Sequence, residues 1–353
     1  MKKIFYFGLS QTPIKPLTPA WLRPLLQLKL SEKVATKLGY AIESPLYIDD
    51  TSLQVAKLLT YNPKLSTPKE NILEFFGNQY IKANSVSGRF HSTKKSLEQF
   101  GAAKQILAKS TKEREGVLNK LGIYFDQIHW ESDYIFLIPY LIDLLEKDGY
   151  ILDYSAVGGP VFLDFTNFHL PLIVLKENKT YSFVAKQLAY VFSKIKNHDL
   201  FAIQHTDEDQ HPFKYIKKFL QIYNKDHFTL SSAKIKFEGK RISSRYGGWE
   251  KFTIENFLKD NKNEKPRDII FGYKLYYFGQ HKNQTPIDFN LKSLNSYIKK
   301  GKKITRDVKK NVSKVVCLKE DIENPCLLVK KLLNKFDQKN QSLDGDLYRL
   351  IYE

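Results

Sequence analysis

Ile4-Phe5-Tyr6-Phe7-Gly8-Leu9, followed by Ser10-Gln11-Thr12-Pro13-Ile14-Lys15-Pro16-Leu17-Thr18-Pro19-Ala20-Trp21, is the stretch that decides the reading of this chain. The first part is an apolar run of strand length. The second is a loop punctuated by Pro13, Pro16 and Pro19. Leu22, Leu25, Leu26, Leu30, Val34 and Leu38 then recur at helical spacing, and Gly39 is placed to end the helix. Residues 41–48 return as a second strand. Strand, loop, helix and strand in that order open a βαβ unit, which predicts an α/β protein built on a parallel sheet. Ligands of such sheets sit at the carboxyl ends of the strands, so one is expected along the loop from Ser10 to Trp21.

The rest of the chain is consistent with that opening. With 353 residues, 42% of them apolar and 14% aromatic, it has material for a sizeable core and is not a disordered polymer. Residues 60–93 are polar, with scattered Gly, Pro and Asn, and read as an insertion. A charged amphipathic helix is predicted over residues 94–121 and another helix over 133–148. Strands are predicted at 161–165, 172–175, 201–204 and 233–237, and helices at 181–195 and 213–223. From Pro266 onward the chain reads as helical and very basic.

The net charge is +18, nearly all of the excess from lysine. That suits diffuse attraction to polyanions better than bidentate recognition; a compositional lysine bias is the competing reading. Two cysteines, Cys317 and Cys326, make neither a disulfide framework nor a four-ligand zinc site. The longest apolar stretch, residues 134–142, is far short of a membrane span, and no signal peptide is evident, so a cytoplasmic protein without a membrane partner is expected.

Four features could carry chemistry. Lys15 precedes a helix N-terminus, a natural phosphate or carboxylate partner, or is a solvated loop lysine. Gly239-Lys240-Arg241-Ile242-Ser243-Ser244-Arg245-Tyr246-Gly247-Gly248 joins cations, hydroxyls and glycines, either to wrap a polyphosphate or as a basic hairpin. His205-Thr206-Asp207-Glu208-Asp209-Gln210-His211 has metal-ligand types, but reads better as a strand-end loop, and no metal is expected. Residues 299–314, with Arg306, Lys309 and Lys310, form a basic face that either lies along phosphates or is simply solvated.

Taken together, these loops resemble the catalytic core of arginyl-tRNA synthetase, a class I aminoacyl-tRNA synthetase. Lys15-Pro16-Leu17, Leu22-Arg23, Leu38-Gly39-Tyr40, then Tyr47-Ile48-Asp49-Asp50 and Gln54, match that family's opening motifs in order. Leu121-Gly122-Ile123, Phe125-Asp126, Glu131-Ser132, Val161-Phe162-Leu163-Asp164, Thr180-Tyr181 and Leu188-Ala189-Tyr190 continue the series. The loop from Gly239 to Arg245 resembles its K-M-S-K-R segment. The resemblance implies a Rossmann-like parallel sheet with a short C-terminal helical domain. It places a nucleotide-binding core over 1–265, with the insertion at about 60–120, and an abbreviated anticodon-type domain over 266–353.

The departures are specific. The family's two signature histidines fall on Thr18 and Trp21, and the second lysine of its mobile loop on Ser244. Oriented donors of that kind are worth roughly 10²–10³ each in rate. The tyrosine and aspartate that meet the arginine side chain fall on Phe183 and Gln187, and the asparagine of S-P-N on Thr12. The resemblance therefore implies a degenerate paralogue, with pseudoenzyme character, that is not a genuine arginine–tRNA ligase. The alternative is an ATP-dependent ligase, with Mg, that activates another amino acid or carboxylate for transfer to tRNA or another acceptor. On that alternative Lys15, Ser243 and Arg245 would be catalytic. Thr18, Trp21, Asp207 and Arg241 would bind ATP, and Ser10, Thr12, Glu131, Phe183 and Gln187 the substrate. The basic C-terminal helices would contact tRNA or other RNA. The oligomeric state is left open.

Overall fold

A computed structural model describes the chain apart from residues 9–10, 63–67, 69–70, 87–99, 166–169, 207–209, 234, 238–252, 280–286, 309–316, 338–344 and 353. Strand β1 (Lys3–Phe7) leads through the proline-rich loop to helix α1 (Pro19–Lys37) and strand β2 (Ala41–Glu43). Gly39 has φ +83°, a conformation that favours glycine, and turns the chain out of α1. β2 lies parallel beside β1, so the βαβ opening is present as expected. Strands β8 (Leu200–Thr206) and β9 (Asp226–Ser232) complete a four-stranded parallel sheet in the order β2-β1-β8-β9.

The sheet is covered on both faces. Successive side chains of a strand point to opposite sides, and β1 shows it: Ile4 and Tyr6 join one apolar cluster, Phe5 and Phe7 the other. The first cluster holds α1 and runs without a break into helices α9 (Pro266–Gly279), α10 (Leu291–Val308), α12 (Cys326–Asp337) and α13 (Gly345–Tyr352). The second holds α5 (Leu137–Lys147), α6 (Phe183–Ile195) and α7 (Gln210–Ile222). Smaller sheets stand alongside. Strand β3 (Leu46–Ile48) pairs in parallel with β4 (Ile128–Trp130), and β5 (Ile151–Asp153), β6 (Val161–Leu163) and β7 (Leu172–Leu175) form an antiparallel trio.

Several expectations need correction. Residues 41–48 are not one strand. The chain leaves the main sheet after Glu43 and re-enters at Leu46 in the β3–β4 pair, with Pro45, which has no N–H to donate, at the break. The polar stretch 60–93 contains helix α3 (Ile72–Val86), which packs between α2 (Leu53–Tyr61) and α4 (Phe100–Lys120). β9 was not anticipated. The region after Pro266 is not basic throughout: Ile269 to Phe278 of α9 are all buried, five aromatic side chains among them in Phe271, Tyr273, Tyr276, Tyr277 and Phe278.

Candidate functional site at the carboxyl ends of β1 and β3

The loop after β1 is held from three directions. Gln11 N donates to Tyr47 O at 2.9 Å and Asp49 N to Gln11 O at 3.1 Å, stitching the loop to β3. Ile14 belongs to the apolar cluster of the insertion, with Val55, Leu58, Phe76, Tyr80 and Leu107. Arg114 of α4, wholly buried, donates to Gln11 Oε1 at 2.9 Å, to Thr12 O at 3.0 Å and to Lys15 O. Burial lowers its guanidinium to about 10.

At the end of this loop Thr18 is the extended N-cap residue of α1, and its hydroxyl makes no capping bond. Trp21 is partly buried and packs against the larger apolar cluster. Arg23, wholly buried, donates to Ala233 O at 3.0 Å and ties the helix to the chain just beyond β9.

Across from the loop lies a buried charged cluster. Glu131 has no exposure to solvent. Its Oε2 accepts from Lys186 Nζ at 3.0 Å and from Thr51 Oγ1, and Tyr47 OH approaches Oε1 at 3.5 Å. Lys186 Nζ also donates to Thr51 O at 2.8 Å. Burial, reinforced by the Glu131 carboxylate, holds the Asp49 carboxyl well above the usual carboxylate range. Asp50 is raised as well, again by burial. Its Oδ1 accepts the Ser132 N–H at 2.9 Å, while Oδ2 is buried without a partner.

Helix α6 brings Lys186 and Gln187 to this place. Ser182 caps it, accepting from Ala185 N at 3.3 Å. Gln187 has no exposure, and neither its Oε1 nor its Nε2 has a hydrogen-bond partner. Phe183, one turn earlier, is 37% exposed.

The structure thus gathers Thr12, Lys15 and Thr18 on one loop, and pairs Glu131 with Lys186, the residue before Gln187 on α6. Ser10, Asp207, Arg241, Ser243 and Arg245 lie outside the described residues. His205 stacks on Phe213 at 5.4 Å and His211 packs on Tyr215. Among the described residues no group of three or more His, Cys, Asp or Glu is placed to hold a metal. No described helix is long and apolar enough to cross a membrane. Sequence reasoning missed Lys186 and Arg114. For Lys186 there was a signal: apart from Lys186 and Gln187 the helical run Val184-Ala185-Lys186-Gln187-Leu188-Ala189 is apolar, and a lysine within it has to find a buried partner.

No protein-family profile matches the chain. An arginine–tRNA ligase of Pyrococcus furiosus is 24% identical over 335 residues, covering 76% of this chain and 53% of the relative. The chain spans about half the length of the curated relatives it matches. Among solved structures, Thermus thermophilus arginyl-tRNA synthetase superposes with a TM-score of 0.63 at 15% identity, over 100% of this chain and 73% of the other. Mycobacterium tuberculosis methionyl-tRNA synthetase in complex with methionyl-adenylate gives 0.58 at 9% identity, over 99% and 82%. The chain therefore has the class I synthetase fold, with a core similar to that of arginyl-tRNA synthetases.

Proposed function

We propose that this arginyl-tRNA synthetase-like chain does not ligate arginine to tRNA and serves as a nucleotide- and RNA-binding relative of the synthetases. The observation that carries the reading is the 3.0 Å pair between Glu131 and Lys186. Glu131 is the acidic contact the resemblance leaves for an arginine side chain, and the protein's own ammonium already answers it. A second buried cation there would have to share Glu131 or ionise Asp49 or Asp50, whose carboxyls burial holds above their usual range, and a buried charge left without its own counter-charge is strongly penalised.

The nucleotide part rests on the first loop. ATP, where bound, supplies the adenylyl group that activates a carboxylate. The residues fit its phosphates in part: α1 presents an N-terminus with an uncommitted Thr18 hydroxyl cap, and Lys15 stands three positions earlier. Trp21 contributes one indole N–H in place of an imidazole. The RNA part rests on α10, whose outward face carries Lys292, Lys299, Lys303 and Arg306. Phosphate contacts from such a face orient RNA without reading its sequence.

A second reading, activation of a different amino acid, is favoured by the buried, unpartnered amide of Gln187, a polar group that a ligand could answer. ATP–pyrophosphate exchange across a panel of amino acids, with and without bulk tRNA, tests both. No arginine-dependent exchange is expected. Exchange with arginine would overturn the proposal, and exchange with another amino acid would establish the second reading. RNA affinity is expected to fall steeply with salt; salt-insensitive binding would overturn the RNA part.

A further inference from the structure

The direction of α6 locates Gln187. Lys194 lies over the Phe5 ring at 5.5 Å, and Tyr190, one turn earlier, packs against Phe5 at 5.5 Å and reaches on to Phe7 at 5.8 Å. Going backward along the helix therefore goes forward along β1, so one further turn sets Gln187 level with the carboxyl end of that strand. The same holds for β3: Tyr190 stacks on Tyr47 at 4.2 Å, and Lys186, one turn earlier, reaches Thr51, beyond the strand's end. Residues three and four apart share a helix face. Gln187 accordingly lies on the face that carries Tyr190 toward the strands, at the position where open α/β sheets hold ligands.

Two observations there are independent of each other. The Glu131 charge is neutralised internally by Lys186, which also spends a proton on Thr51 O. The neighbouring carboxamide of Gln187, fully buried, has both its donor and its acceptor unanswered. Buried polar groups are nearly always hydrogen-bonded, so an amide left open in this way calls for a partner that is not part of the chain. A cation offers only donors and leaves the amide N–H₂ unmatched. An anion offers only acceptors and leaves the carbonyl unmatched. A carboxamide answers a carboxamide in both directions.

We propose that Gln187 is the specificity-determining residue of a site for an amino acid with an uncharged side chain bearing both donor and acceptor, a carboxamide above all, and that the Glu131–Lys186 pair closes this site to cationic side chains. The inference deepens the functional reading above, and rests on its placement of an amino-acid-class ligand at this end of the sheet.

The test is calorimetry on the full chain with free glutamine, asparagine, arginine and leucine, with and without ATP. Glutamine or asparagine should bind, and arginine should not. Gln187→Met keeps the side-chain length and removes both polar atoms. It should weaken carboxamide binding about tenfold or more, while its melting temperature stays at or above that of the parent. Gln187→Glu keeps the acceptor only, and should weaken binding to a similar degree. Three results would overturn the inference: no carboxamide binding at millimolar concentration, leucine bound as tightly as glutamine, or unchanged affinity in both variants. The arms separate the two claims. Leucine binding sinks the carboxamide site and leaves the functional reading intact, whereas arginine-dependent pyrophosphate exchange sinks the functional reading itself.

Discussion

Arg114 Nη1 lies 2.9 Å from Gln11 Oε1, joining the long helix of the insertion to the first loop of the central sheet. The same guanidinium serves the carbonyls of Thr12 and Lys15. The insertion is thus a brace on the loop where a nucleotide is proposed to bind.

Arg114→Met should strand three acceptors at once, two of them in buried bonds and the third part-buried. Unmade buried hydrogen bonds cost about 1–3 kcal/mol each, and relaxation of the loop will recover part, so a loss of about 3 kcal/mol is expected in urea unfolding. Lysine at this position should not restore stability, because one ammonium cannot span the acceptors that the guanidinium fork reaches. Recovery to within about 0.5 kcal/mol by Arg114→Lys would show that charge alone is needed there.

Gly8→Ala should be among the most damaging single changes. Gly8 has φ +140°, and a Cβ placed on it would sit 1.8 Å from the Gln204 carbonyl oxygen, a backbone atom that cannot swing aside. A loss above about 4 kcal/mol, or failure to fold, is expected. A soluble Gly8→Ala protein with parental melting temperature would contradict this close approach of β1 and β8.

Lys186→Met should leave Glu131 as an uncompensated buried charge, at a cost of about 3–5 kcal/mol. Adding Glu131→Gln should return much of that loss, since the pair is then removed together. The double-mutant cycle measures it; strictly additive losses would mean that the two residues do not interact.

Asp49 predicts a pH dependence. Its native carboxyl titrates well above its unfolded value, because burial and Glu131 oppose ionisation. Between the two values the folded state holds a proton that the unfolded chain has released, so stability falls as pH rises through that window. Asp49→Asn removes the titration. Its melting temperature relative to the parent should therefore climb from pH 4 toward pH 8; a difference independent of pH would refute the assignment.

Much of the fold was legible because it depends on local pattern. β1, α1 and the Gly39 turn follow from an apolar run, a helical repeat and a residue that accepts positive φ. β9 was not legible: in Asp226-His227-Phe228-Thr229-Leu230-Ser231-Ser232 only Phe228 and Leu230 are apolar among the buried positions, and it becomes a strand because β8 offers it a ladder. Residues 41–48 read as one strand because Pro45 was given less weight than the apolar residues around it. For the site, Glu131, Phe183 and Gln187 were proposed from the resemblance. Lys186 and Arg114 were not, because their roles depend on partners 55 and 103 residues away.

The parallel pairing of β1 with β8 has a consequence on the ribosome. Ile4 registers with Leu200, and Lys3 N donates to Asp199 Oδ2 at 2.8 Å. At about 5–20 residues per second, β1 is synthesised roughly 10–40 seconds before the strand that flanks it on the inner side of the sheet. Throughout that wait its only sheet neighbour is the three-residue β2, and the Phe5 and Phe7 side chains lack the α6 and α7 surfaces that will cover them. The nascent chain thus carries a long-lived sticky edge, and its yield in a cell should depend on holdase chaperones and on translation speed across residues 7–200 more than on the stability of the finished protein.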